Sequence, residues 1–173
     1  MGELLFTDDL SVGVVEIDLD HQTLVALINL LDDAIEGDHG VESVASVLTA
    51  LTEYAKYHFL REEYLMAAVG YPGLDAHVRV HERFKARLGE LLALHAAAPS
   101  AVNASDVLDL MKSWLFNHIK IEDHRYVPFM VGKEYEIAEA NRRVMDELAD
   151  LFFERGCDDT IGFSAASPMY GAK

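Results

Sequence analysis

Residues 58–81 read HFLREEYLMAAVGYPGLDAHVRVH. Two helical patterns meet in this stretch, separated only by Gly70, Pro72 and Gly73, residues that end one helix and leave a short turn before the next. Before the turn, His58 and Glu62 stand four apart; after it, His77 and His81 do. Residues four apart lie on one face of an α-helix, about 40° apart around its axis. Each pair interrupts an apolar stripe. The first stripe is Val44, Val47, Leu51, Tyr54, His58, Glu62 and Leu65; the second is Leu74, His77, His81, Phe84, Leu88 and Leu91. Glu62 and His81 each stand about eight residues from the turn, so at ~1.5 Å per residue they reach one level of an antiparallel pair.

The pattern repeats outward in both directions. Residues 1–17 read as an extended arm with Val12, Val14, Val15 and Ile17 as its apolar content. Asp18 or Asp20 is a candidate N-cap for a helix running to about Glu36, with His21, Leu24, Ile28, Leu31 and Ile35 in register. Gly37-Asp38-His39-Gly40 is a turn, followed by a helix over roughly 41–69. A third helix spans about 74–96, and Pro99 and Ser100 break the chain. Ser105 is the expected N-cap of a fourth, over about 106–127, whose inner face is Leu108, Met111, Leu115, His118 and Ile121. Pro128 and Gly132 interrupt it, and an amphipathic segment over 134–154 carries Ile137, Val144, Leu148 and Leu151. After Gly156 the tail is rich in Gly, Ser and Ala.

Long helices with short connections predict an all-α fold, an up-down-up-down antiparallel four-helix bundle with an N-terminal arm and an extra C-terminal helix. The expected division is 1–132 as the bundle and 133–173 as a helical extension and tail. Nothing beyond the arm alternates with period two.

Composition narrows the function. The 173 residues are half hydrophobic and carry a net charge of −16. That charge disfavours nucleic-acid phosphates and anionic membrane surfaces as partners. The single cysteine, Cys157, allows neither an internal disulfide nor a thiolate metal site. The first ten residues lack the basic and apolar regions of a signal peptide. No apolar run approaches the ~18 residues that span a bilayer, so a cytoplasmic location is the default expectation.

In such a bundle, the start of the first helix, the end of the second, the start of the third and the end of the fourth share one end. The polar residues of the stripes fall there: His21, His58, Glu62, His77, His81 and His118, with Asp123 a few residues before the fourth helix stops. Imidazole and carboxylate facing inward cost energy unless satisfied, and a transition metal satisfies them. Seven donors are too many for one ion and suit two. Mixed imidazole and carboxylate favours iron, zinc or manganese over calcium or magnesium. Spacing alone selects Glu122, four residues after His118, over Asp123, five after and about 140° around an α-helix. Asp123 requires a helix end, a π-bulge or a long reach.

The arm from Val12 to Asp18 leading to His21, HFLRE at 58–62, HVRVH at 77–81 and WLFNHIKIED at 114–123 together resemble the hemerythrin family, specifically its bacterial members. The resemblance covers about residues 5–130. It implies two iron ions, bridged by Glu62, Asp123 and an oxo or hydroxo group, that bind O2 reversibly. It implies that His77, His81 and His118 bind one iron and that His21 and His58 bind the other, leaving it five-coordinate. It therefore selects Asp123 over Glu122. Phe6 stands where the family often has Trp. Trp114 and Leu115, one turn before His118, are candidates for an apolar O2 pocket and equally for ordinary core packing.

His95 lies ~21 Å along the axis from His81, too far for the same site, and its place near a helix C-terminus suits a cation. His39 and His124 read as surface residues, His124 with a second option as support for Asp123. Asp32, Asp33, Glu36 and Asp38 read as a solvated face. The leading function is O2 carriage, storage or delivery without turnover. The alternatives are an O2 or redox sensor acting through 134–154, by a protein partner or self-association, and a di-iron peroxidase or oxidase. The sparse use of Glu and the absence of Glu-x-x-His at this layer disfavour the last.

Overall fold

A computed structural model describes residues 3–37, 41–98 and 103–155. The expected turn at 38–40, His39, Asp38, Pro99, Ser100, Cys157 and the tail lie outside them. The side chains of His95 and Leu151 are likewise outside the described set.

Four long helices form the bundle: α1 Val15–Glu36, α2 Val41–Ala68, α3 Leu74–Ala97 and α4 Ala104–Asn117. The chain then passes through a π-helical turn, His118–Glu122, a 3-10 turn, Asp123–Arg125, and a short helix α5, Val127–Met130. A last helix, α6 Glu134–Arg155, packs along the outside of α2. No strand occurs among the described residues. The apolar stripes meet in one core, with Leu24, Ile28 and Leu31 of α1, Leu51 and Leu65 of α2, Phe84 and Leu88 of α3, and Met111 and Leu115 of α4 all buried. None of these helices is long and apolar enough to cross a membrane.

The turn after α2 forms as its glycine predicts. Gly70 takes φ +72°. The Tyr71 N–H donates to Met66 O at 2.9 Å and the Gly70 N–H to Ala67 O at 3.2 Å, closing the last carbonyls of α2. Pro72 then prevents continuation.

Helix starts differ from expectation at two places. Helix α1 begins at Val15, earlier than Asp18 or Asp20, because the Asp18 N–H already donates to Val14 O at 2.9 Å. The Asp18 carboxylate instead reaches back, accepting from Val12 N–H at 2.8 Å, Gly13 N–H at 3.2 Å and the Ser11 hydroxyl at 2.6 Å. This ties the arm to the helix. Helix α4 is capped by Asn103, whose side chain accepts from Ser105 N–H at 3.0 Å. Ser105 is therefore inside the helix rather than its cap.

The arm runs antiparallel along α1. Asn29 grips the Leu4 backbone by two hydrogen bonds of 2.9 Å, one accepted and one donated. His124 faces Ser11 O through Nε2 at 3.2 Å, so it tethers the arm and is neither freely exposed nor a partner of Asp123. Asp32 also departs from the solvated face expected of it. It is buried and pairs with Lys112 of α4 at 2.6 Å.

Candidate metal centre

All seven residues expected at the site are buried and converge at one end of the bundle. His21 comes from the first turns of α1, His58 and Glu62 from the later part of α2, His77 and His81 from the start of α3, and His118 and Asp123 from the end of the α4 segment. Donor atoms of Glu62, His77, His81 and His118 lie within 4.8 Å of one another, and so do those of His21, His58 and Glu62. Glu62 belongs to both groups. Its Oε2 is 3.6 Å from His58 Nε2, 3.5 Å from His77 Nε2 and 3.2 Å from His81 Nε2.

Asp123 spans the same divide with its two oxygens. Oδ1 is 3.0 Å from His118 Nε2 and 3.4 Å from His77 Nε2, whereas Oδ2 is 3.3 Å from His21 Nε2. The π turn makes this possible. Its backbone bond runs from the Asp123 N–H to His118 O, five residues back, so the wider turn brings 118 and 123 to one face. Glu122 points outward and pairs with Arg125 at 2.6 Å. Ile119, four residues after Leu115, is buried, whereas Ile121, expected on the inner face, is 50% exposed beyond the widened turn.

The donor atoms are close yet do not satisfy one another. Both nitrogens of His21, His58 and His77, Nδ1 of His118, Oε2 of Glu62 and both oxygens of Asp123 are buried without a hydrogen-bond partner. The Nε2 atoms of His81 and His118 face each other at 3.1 Å. So many orphaned donors and acceptors would be costly in a sealed core. Cations placed among them resolve the arrangement, and a set of five imidazoles and two carboxylates fits transition metals.

Electrostatics agree with that fit. Burial alone would raise the Glu62 carboxyl, but His58, His118, His77 and His81 hold it well below its usual range. Asp123 is likewise held down: burial and Glu62 push upward, and His118 and His21 overcome them. Burial opposes charge on His118, yet Asp123 and Glu62 push it up to about 10. Burial keeps His58 below its ordinary value, despite Glu62 and Asp20.

Aromatic rings and second carboxylates surround the donors. Phe59 stacks on His81 at 4.0 Å, and Trp114 stacks on His118 at 4.4 Å and on Phe84 at 3.7 Å. Phe6 of the arm lies 6.4 Å from the His21 ring. The Tyr126 hydroxyl donates to Glu62 Oε1 at 2.6 Å, and its phenol is held well above its usual range by burial and by the Glu62 and Asp123 charges. Asp20 faces His58 Nδ1 at 3.5 Å, and Glu63 accepts from His81 Nδ1 at 2.8 Å. Sequence reading missed Glu63, Tyr126 and the supporting role of Asp20. Beside this layer, Leu24, Phe59, Trp114 and Leu115 help line an apolar void of about 10 Å³.

The profile of the hemerythrin HHE cation binding domain matches residues 12–130. The chain belongs to the hemerythrin family. It is 37% identical over 127 residues to a bacteriohemerythrin of Pseudomonas paraeruginosa, covering 73% of this chain and 81% of that one. It is also 37% identical over 127 residues to a bacteriohemerythrin of Stenotrophomonas maltophilia, covering 73% and 80%. A solved wild-type hemerythrin superposes with a TM-score of 0.69 at 27% identity, over 75% of this chain and 98% of that chain. Helix α6 lies beyond the stretch matched by the hemerythrin profile.

Proposed function

We propose that this chain binds O2 reversibly, as a carrier, store or delivery protein, at a di-iron centre. His21, His58, Glu62, His77, His81, His118 and Asp123 would hold the irons. The observation that carries the reading is the unequal division of donors about two shared carboxylates. Three imidazoles, His77, His81 and His118, stand on one side of Glu62 and Asp123, and two, His21 and His58, on the other. With both carboxylates shared, the second side has one protein donor fewer. Iron held there would supply O2 with electrons and, on the side of His21 and His58, with an open coordination position.

The chain's own residues provide the rest. Glu62 and Asp123 span the two sides and fix their separation. Tyr126 holds Glu62 by its outer oxygen, leaving Oε2 to face the imidazoles. Leu24, Phe59, Trp114 and Leu115 line a void of about 10 Å³, near the least that holds one water, and present only apolar groups to it. Such a wall excludes water and external reductants, so O2 leaves unchanged. Phe6, with the arm tethered by Asp18, Asn29 and His124, closes the His21 side.

The imidazole-rich donor set supports binding over turnover, since carboxylate-rich bundles with Glu-x-x-His pairs serve oxidase chemistry. We assign the centre to a unit of residues 1–132 and treat 133–173 as an appendage, because α6 contributes none of the seven donors. The test is anaerobic loading of the full chain with Fe(II), followed by spectra through cycles of O2 and vacuum. Visible charge-transfer absorption that appears with O2 and fades under vacuum is expected. A single irreversible oxidation contradicts reversible binding.

A further inference from the structure

The five histidines differ in what holds their outer nitrogens. Nδ1 of His21, His58, His77 and His118 has no hydrogen-bond partner in the protein. His81 is the exception, donating from Nδ1 to Glu63 Oε1 at 2.8 Å. The nearest counterpart is Asp20, 3.5 Å from His58 Nδ1. Asp20 is buried, and its charge is shared: it accepts from the Tyr54 hydroxyl at 2.9 Å and faces Arg61 Nη1 at 3.4 Å. Arg61 is itself stacked over Tyr57, its Cζ 4.6 Å from the ring centroid. Glu63 has no such compensation. Among the described residues its ion-pair partner is His81 alone, and its side chain is 23% exposed toward the groove between α2, α3 and α6.

We infer that Glu63 is a positioning residue that sets the tautomer and donor strength of His81, making the metal beside His77, His81 and His118 easier to oxidise than its neighbour. The inference rests on the metal reading above. Donation of Nδ1–H to Glu63 leaves Nε2 as the bare nitrogen, aimed at His118 Nε2 and Glu62 Oε2 inside the site. A full negative charge behind the ring increases electron donation through Nε2, which favours the higher oxidation state. Asp20, longer in reach and already paired with Arg61, gives His58 less of this push. One side of the centre is thereby biased toward oxidation by a residue that touches no metal.

The test compares Glu63→Gln, Glu63→Ala and Glu136→Gln in the full chain. Gln keeps an acceptor for Nδ1–H without the charge; Ala removes both. Glu136 lines the same groove but pairs with Lys133, so it controls for charge removal at a distance. Iron count, one-electron reduction potentials and Zn(II) affinity of the metal-free protein are measured for each. Glu63→Gln should keep two irons and shift the oxidation equilibrium of one metal about tenfold toward the reduced state, 59 mV for one electron. Glu63→Ala should in addition weaken Zn(II) binding by about 10- to 100-fold. Potentials unmoved in both Glu63 variants, or moved equally by Glu136→Gln, overturn the inference alone. Wild-type protein that takes up no second metal overturns it together with the reading beneath it.

Discussion

His118 Nε2 and Asp123 Oδ1 lie 3.0 Å apart although five residues separate them, because the backbone between them is a π turn rather than an α turn. That one irregularity turns Asp123 into the site and Glu122 out of it. Asp123→Asn is therefore expected to lose at least one of two metals, whereas Glu122→Gln, which breaks only an exposed pair with Arg125, retains both. Metal counts on the purified variants decide the matter. Deleting Lys120 removes the extra residue of the turn and leaves the aspartate four residues after His118, so an ordinary α turn should hold it at the site and both metals should be retained.

Tyr126 provides a second check. Its loss as Tyr126→Phe leaves Glu62 Oε1 buried without its donor at 2.6 Å. Stranding a buried acceptor costs about 1–3 kcal/mol, and more when it is charged. The urea midpoint of the metal-free variant should fall accordingly, with an unchanged slope. An unchanged midpoint would mean that Glu62 finds another partner.

Leu115 is 3% exposed and borders the apolar void. Leu115→Ala should cost about 2–5 kcal/mol in unfolding free energy, the range for large-to-small changes in cores. It also widens the void beside the donors, so the iron-loaded variant should lose reversibility over fewer O2 cycles than wild type. Equal cycling in both proteins would remove Leu115 from the proposed role.

The pH dependence of the metal-free protein follows from the shifted groups. His118 titrates at about 10 in the folded chain against an ordinary 6.5. Its stabilisation is complete below about 6.5 and is lost as pH rises through about 10. Glu62 and Asp123 are held below their ordinary 4.5 and 3.8, so their stabilisation is complete above those values and is lost as pH falls through the lowered ones. Thermal melts of the metal-free protein should therefore show greatest stability between about pH 4.5 and 6.5 and losses on both flanks. Metal binding displaces the His118 proton, so uptake at neutral pH should release protons, measurable in weakly buffered solution.

Much of this architecture is legible in the chain itself. The four stripes repeat at helical spacing, and Gly70 with Pro72 marks the hairpin between α2 and α3, so helix order and direction follow. His58 with Glu62, and His77 with His81, announce themselves by interrupting those stripes. The π turn does not, because its i→i−5 bond leaves no signature in residue type; an α-helix drawn through 118–123 puts Ile121 inside and Glu122 at the site. Asp20 looks like an N-cap before an apolar run, yet the helix starts five residues earlier and sends Asp20 inward. Glu63 is about 100° around α2 from Glu62 and resembles any exposed acid. Only the packing of α3 against α2 brings it to His81.

Glu62 and Asp123 are expected to be shared between two metals, with three imidazoles on one side and two on the other. Crystals of the full chain loaded with iron, with diffraction recorded at the iron absorption edge, test it most directly. Two anomalous peaks are expected, one against His77, His81 and His118 and one against His21 and His58, with Glu62 and Asp123 between them. One peak, or peaks away from these seven side chains, would contradict the account.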